Sequence, residues 1–114
     1  MVDFRVSDGF PSHPKTLGLS LEAIGLWMLA GTWCARYLTD GYIPRDAMAM
    51  YMNGSSRPVD ELVERNLLTP VADGWLFVDW SQYQRTRQQI EAQRVSNRER
   101  GKRWREKGRS RDTE

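Results

Sequence analysis

Residues 67–80 read Leu-Leu-Thr-Pro-Val-Ala-Asp-Gly-Trp-Leu-Phe-Val-Asp-Trp, two apolar runs separated by Ala72-Asp73-Gly74. Asp-Gly between two such runs is typical of a tight turn that joins antiparallel strands. The stretch therefore predicts a β-hairpin with strands over 67–71 and 75–80. Because Pro70 has no N–H to donate to a second neighbour, its strand is predicted to lie at the edge of the sheet.

The longest helix is predicted upstream of this hairpin, from Leu21 to about Leu38. Ser20 is a favoured N-cap for it, and apolar residues cover most of its circumference, which is typical of a central helix. Gly25 and Gly31 weaken the helix and predict places where another element packs closely.

Two shorter helices are predicted between the long helix and the hairpin. Pro44 is well placed to open a helix that stops at Asn53-Gly54, and Ser55 and Ser56 cap a helix that ends near residues 66–67. Two weaker signals indicate extended segments, at Tyr42-Ile43 and at Phe4 and Val6. The fold class predicted is mainly α with a small β-hairpin (α+β).

The charges divide the chain into two parts. Residues 1–80 hold six Lys/Arg and ten Asp/Glu (6 − 10 = −4), whereas residues 81–114 hold eleven and five (11 − 5 = +6). We therefore predict a folded domain over 1–84 and a basic C-terminal helix or tail over 85–114, partly disordered unless bound. Such a tail favours a polyanionic partner, and the alternative is a solvated tail that only aids solubility.

Candidate nucleic-acid-binding residues fall in two groups. Arginine pairs well with phosphate, and a tryptophan between arginines can stack on a base. The tail group consists of Arg85, Arg87, Arg94, Arg98, Arg100, Lys102, Arg103, Trp104, Arg105, Lys107 and Arg109. The third-helix group consists of Ser55, Ser56, Arg57 and Arg65. Residues 55–66 also carry Asp60, Glu61 and Glu64, so this segment has a net charge of 2 − 3 = −1, which disfavours approach to phosphates.

Residue types exclude several other functions. Cys34 is the one cysteine and His13 the one histidine, so neither a disulfide nor a metal site is predicted, and no cofactor is expected. No nucleophile–base pair, phosphate-binding glycine loop or close carboxylate pair is present, so we predict that the chain is not an enzyme. No bilayer-spanning run and no signal peptide are recognisable, which predicts no membrane partner and a cytoplasmic, nucleoid-associated location.

Five stretches together carry a resemblance to a known family. They are Phe-Arg-Val-Ser-Asp-Gly-Phe-Pro-Ser-His-Pro-Lys (4–15), Gly-Leu-Trp (25–27), Cys-Ala-Arg-Tyr-Leu-Thr-Asp-Gly-Tyr-Ile-Pro (34–44), Asp-Gly-Trp (73–75) and Asp-Trp-Ser-Gln-Tyr-Gln (79–84). Over residues 3–88 the chain resembles the N-terminal winged helix-turn-helix domain of DNA-binding proteins from bacteriophages and prophages of actinobacteria, which are similar to replication-initiation or replisome-organiser proteins. The resemblance implies a winged helix-turn-helix domain that binds DNA. Together with the tail predicted from the charges, the expected architecture is a winged helix-turn-helix followed by a basic C-terminal helix. Many relatives continue into a longer C-terminal part, so activities located there are not implied.

Two hypotheses about function follow. In the first, the chain is a phage-type winged-helix protein that acts in phage replication or in transcription regulation. Its expected ligand is double-stranded DNA, and the alternative ligand is RNA. In the second, the acidic domain is an interaction module for a host or phage protein, and the tail docks on nucleic acid in that assembly. The chain is expected to be a monomer or a homodimer.

Overall fold

The computed structural model describes residues 2–112, the side chains as far as Gly108. The helices are α1 (Leu21–Tyr37), α2 (Arg45–Met52), α3 (Arg57–Glu64), α4 (Trp80–Tyr83) and α5 (Arg87–Asp112), with a 3-10 turn over Phe10–Ser12. The strands are β1 (Tyr42–Pro44), β2 (Leu68–Val71) and β3 (Gly74–Phe77). The fold is thus α+β, as predicted: helices with one small antiparallel sheet.

The sheet has three strands in the order β1-β3-β2, and both pairings are antiparallel. The register places Leu68 opposite Phe77 and Val71 opposite Gly74, so Ala72 and Asp73 form the hairpin turn. The edge position predicted for the strand of Pro70 is confirmed. The third strand comes from the extended segment at Tyr42, whose short length gave only a weak signal in the sequence.

Helix α1 begins where the sequence predicts and lies across the core. The Ser20 Oγ atom accepts a hydrogen bond from the Ala23 N–H (3.1 Å), as an N-cap should. Leu38 ends the helix in the left-handed conformation, with φ of 55°. The buried side chains of α1 contact those of α2, α3 and the sheet in one hydrophobic cluster.

The prediction of a strand at Phe4 and Val6 is wrong, because residues 2–7 have no regular structure. A side chain takes the place of a neighbouring strand there. The Arg5 N–H donates to Gln84 Oε1 (2.7 Å), and Gln84 Nε2 donates to the Arg5 carbonyl (2.6 Å). The segment is held on the domain by this pair of bonds rather than by a ladder.

Phe4 then inserts into an aromatic cluster against α1. Its ring centroid lies 4.8 Å from that of Trp27 and 5.9 Å from that of Trp80. A Cβ atom added at Gly31 would lie 2.3 Å from Phe4 Cζ, so only glycine admits the ring here. The close approach predicted at Gly31 is confirmed. The close approach predicted at Gly25 is wrong, because nothing within the described chain comes within 4 Å of a Cβ atom added there.

Candidate nucleic-acid interface

Helix α5 is anchored to the domain at its first turn. Thr86 N–H donates to Gln89 Oε1 (2.9 Å) and Gln89 N–H donates to Thr86 Oγ1 (3.2 Å), which is a capping box. The Asp40 carboxylate accepts the Arg87 N–H (2.6 Å), and Ile90 is buried. Thr-x-x-Gln at 86–89 is a sequence signal for this helix start, and the sequence-based prediction missed it.

Beyond Ile90 every described side chain of α5 is exposed. The helix runs on through Gly101 and Gly108 for 26 residues in all, about 39 Å at 1.5 Å per residue. The chain measures 68 Å along its longest axis and 31 Å along the next. Helix α5 is therefore a projecting rod whose surface is open to a partner. The predicted disorder of the unbound tail stays a prediction.

Seven cations lie on the exposed part of α5, namely Arg94, Arg98, Arg100, Lys102, Arg103, Arg105 and Lys107. Only Glu99 and Glu106 oppose them over residues 94–107 (7 − 2 = +5). As far as side chains are described, the one ion pair of the protein joins Arg87 to Glu91 (2.9 Å) and uses none of the seven. The positive charge of this segment is thus left to external anions.

These charges are sorted by face around the helix. At about 100° per residue, Arg94, Arg98, Lys102 and Arg105 fall in one sector, here row A, and Arg100, Arg103 and Lys107 in a second, row B. Glu99 and Glu106 form an acidic row, and Asn97, Gly101 and Trp104 a neutral row. Trp104 is 77% exposed, and Asn97 Oδ1 accepts hydrogen bonds from Gln93 and Arg100.

Three further tail candidates are less available to a ligand. Arg85 is half-buried at the base of α5, and its Nε has no hydrogen-bond partner among the described residues. Arg87 is paired with Glu91. The side chain of Arg109 lies outside the described residues. The structure thus brings the exposed tail candidates together between Arg94 and Lys107.

In the third-helix group, Arg65 serves the fold of the domain. Arg65 Nη1 donates to the Leu17 carbonyl (2.7 Å), and its guanidinium covers Gly18. Close by, the Glu61 carboxylate accepts bonds from the Ser20 N–H (2.6 Å) and the Ser20 hydroxyl (2.7 Å). These two bonds, the N–H first, hold the pKa of the Glu61 carboxyl below its usual value. Both side chains connect α3 to the segment that precedes α1.

Ser55, Ser56 and Arg57 lie exposed at the start of α3. Ser55 Oγ accepts the Arg57 N–H (3.3 Å), and Ser56 Oγ donates to Asp60 Oδ2 (3.4 Å). Between this end of α3 and the start of α1 lies an open groove of about 840 Å³, which Arg57 shares with Glu22, Asp60, Glu61 and Glu64. The surface around Arg57 is therefore acidic.

Other reactive groups are occupied in the fold. Cys34 is fully buried, its thiol donates to the Tyr42 carbonyl (3.4 Å), and burial raises the pKa of the thiol to about 11. His13 Nδ1 accepts the Lys15 N–H (3.1 Å) within a turn. In the described part of the chain, no three His, Cys, Asp or Glu side chains are grouped as metal ligands would be.

Comparison of the chain with protein-family models, with curated proteins and with solved structures gave no match. Within residues 2–112, no helix combines the length and the apolar character that crossing a bilayer requires.

Proposed function

We propose that this protein binds double-stranded DNA through helix α5. The observation that carries the proposal is the exposed run of seven cations over residues 94–107, which form no ion pair among the described side chains. The run spans about 20 Å, a length over which duplex DNA presents roughly twelve phosphates. Binding would release the counterions condensed on those phosphates, and this release is the main source of affinity in such complexes.

The order of the elements in the domain over residues 1–84 supports the proposal that this part of the chain is a winged helix. Its element order, α1-β1-α2-α3-β2-β3, is the order expected of a winged helix-turn-helix. The motifs that resemble phage and prophage proteins favour a role in phage replication or in regulating phage genes. In this proposal Ser55, Ser56 and Arg57 meet DNA at the start of α3. They contribute less than α5, because acidic side chains surround them and Arg65 is engaged with Leu17.

The proposal is tested by titrating a fluorescent duplex of about 20 base pairs with the full chain at salt concentrations from about 50 to about 200 mM. If six cations neutralise phosphates, the plot of log affinity against log salt should have a slope of about −5. Single-stranded DNA and duplex RNA of the same length serve as competitors. Absence of duplex binding at the lowest salt, or a slope shallower than about −2, would contradict the proposal.

A second candidate function is protein interaction through the outer face of α1. Leu21 is 86% exposed, and Met28 and Leu29 are also exposed on this helix. Gly25 lies on the same surface with no atom near it. Isolated exposed apolar residues are ordinary, but a group of them on one face of a helix indicates an interface.

The charges of this face suit a second copy of the same chain. Glu22 and Arg36 each lie seven positions from Leu29, on the same line of the helix. An antiparallel copy related by a twofold axis at Leu29 would place each Glu22 opposite the other copy's Arg36. The interface would thus be self-complementary in both charge and apolar surface.

Charge exchange tests this dimer by analytical ultracentrifugation. Glu22→Arg and Arg36→Glu, each alone, should raise the dissociation constant about tenfold, because like charges then face each other. The double variant should restore the affinity of the original pair. A wild-type chain that stays monomeric at all concentrations, or a double variant weaker than both single ones, would exclude this arrangement and leave other proteins as partners of the face.

A further inference from the structure

The charged residues of α5 are arranged in separate rows around the helix, and attraction to phosphates alone does not require such an arrangement. The neutral row spans a sector of about 60° around the helix axis. Rows A and B are centred about 90° to either side of it, and the acidic row lies about 180° away. A helix that only attracts phosphates gains nothing from confining its cations to two opposite flanks, whereas a helix with a phosphate backbone on each flank does.

The major groove of duplex DNA provides such surroundings. The groove is about 12 Å wide, and an α-helix with its side chains measures about 10–12 Å across. A helix in the groove has one phosphate backbone on each flank, the base edges beneath it and solvent above it. Rows A and B match the two backbones, and the acidic row, which phosphates would repel, matches the solvent side.

We propose that α5 lies in the major groove of duplex DNA with Asn97, Gly101 and Trp104 facing the base edges, between the phosphate contacts of rows A and B. This inference rests on the proposed function, since it specifies how the same helix meets the same ligand. It assigns to Asn97 and Gly101 a role that charge alone does not give them.

Each residue of the neutral row has chemistry that suits the floor of the groove. The amide of Asn97 has the donor and acceptor that pair with the N6 and N7 atoms of adenine. Its present partners, Gln93 and Arg100, are exposed side chains of the same helix and exchange readily for a base. Gly101 has nothing within 4 Å and adds no bulk beneath the helix. The exposed ring of Trp104 offers an apolar surface to thymine methyl groups.

A coiled coil with a second copy is the competing use of this row. Ile90, Asn97 and Trp104 are spaced by seven residues, as a positions of a heptad would be. Arg100 and Lys107 would then occupy d positions, where burial of a cation is costly. Ile90 is moreover already buried near the base of the helix. The row therefore suits a polar groove better than a helix partner.

The first test compares the same added side chain on opposite faces of α5 in the full chain. Gly101→Leu places bulk between the helix and the base edges, and we expect duplex affinity to fall about tenfold with an unchanged salt slope. Glu99→Leu places it on the solvent side and should leave affinity equal or higher. Leucine favours helix at both positions, and residue 101 touches no other element, so folding is preserved. Equal effects of the two variants would overturn the orientation.

The second test identifies the groove with modified DNA. A duplex whose pyrimidines carry bulky C5 substituents, which fill the major groove, should bind the wild-type chain about tenfold more weakly than the plain duplex. A polyamide that occupies the minor groove should not compete. Equal binding to both duplexes with a steep salt slope would overturn the groove assignment and keep the proposed function. Loss of binding to the plain duplex would instead refute the proposed function itself.

Discussion

Replacing the seven exposed cations of α5 by glutamine is expected to lower duplex affinity by about a thousandfold or more at low salt. The replaced residues are Arg94, Arg98, Arg100, Lys102, Arg103, Arg105 and Lys107. Glutamine keeps an unbranched polar side chain with a similar helix propensity but removes the charges that displace counterions. The salt slope should therefore fall from about −5 to near zero. Fluorescence anisotropy measures affinity and slope, and circular dichroism verifies that the domain is folded.

A single substitution in α3 provides the comparison. Arg57 is exposed, and Arg57→Gln removes one cation from a surface that also carries Asp60 and Glu64. We expect it to change the slope by about one at most. If the seven-residue variant keeps wild-type affinity while Arg57→Gln loses it, α3 rather than α5 is the binding element, and the proposal is wrong in its central assignment.

The largest expected effect on stability comes from Met48 in α2. Met48 is fully buried in the cluster that joins α1, α3 and the sheet. Met48→Ala removes three heavy atoms from close-packed surroundings and leaves a cavity, so the free energy of unfolding should fall by about 2–5 kcal/mol. For a domain whose total stability is about 5–15 kcal/mol, this is a large share. The change in the free energy of unfolding is measured by urea denaturation, with tryptophan fluorescence as the signal.

Met50 supplies a control with the same chemical change two positions along the helix. Its side chain is 65% exposed. Met50→Ala should shift the free energy of unfolding by less than about 0.5 kcal/mol, because surface substitutions leave no cavity. Similar losses at the two positions would contradict the burial of Met48 and the exposure of Met50.

Local signals in the sequence were sufficient for the elements that depend on local chemistry. Ser20 marks the start of α1 and Asn53-Gly54 the end of α2, and each marker acts through its own backbone geometry or hydrogen bonds. Asp73-Gly74 located the hairpin one residue late, because the turn residues are Ala72 and Asp73 and Gly74 already pairs with Val71. The edge position of Pro70 also follows from one missing N–H. These predictions needed no knowledge of distant contacts.

Contacts between distant parts of the chain explain what the sequence did not reveal. The backbone of Arg5 is satisfied by Gln84, 79 positions away, so alternation of apolar residues at 4 and 6 gave a false strand. The pairing of Tyr42 with Leu76 depends on the hairpin that follows much later. Arg65 was predicted at the nucleic-acid interface because it is a cation on the predicted third helix, whereas its hydrogen bond to Leu17 becomes visible only in three dimensions.

The candidate site on α5 was only partly predictable from the sequence. Its charge is a property of composition and was visible at once. The separation into rows A and B depends on one uninterrupted helix through Gly101, a position that the sequence alone makes a candidate break. Once the helix is continuous, the neutral row containing Asn97 and Trp104 follows from the helical repeat alone.

Because the first turn of α5 is fixed on the domain, the length of this helix determines how the domain is rotated relative to a ligand bound further along the helix. Thr86, Asp40 and Ile90 set the azimuth of the helix where it leaves the domain, and every residue thereafter advances that azimuth by about 100° and the height by about 1.5 Å. One residue added between Ile90 and Asn97 would swing the domain about a quarter-turn around any ligand held further along. The number of residues in this short interval therefore determines which side of the ligand faces α1, α3 and the β-hairpin.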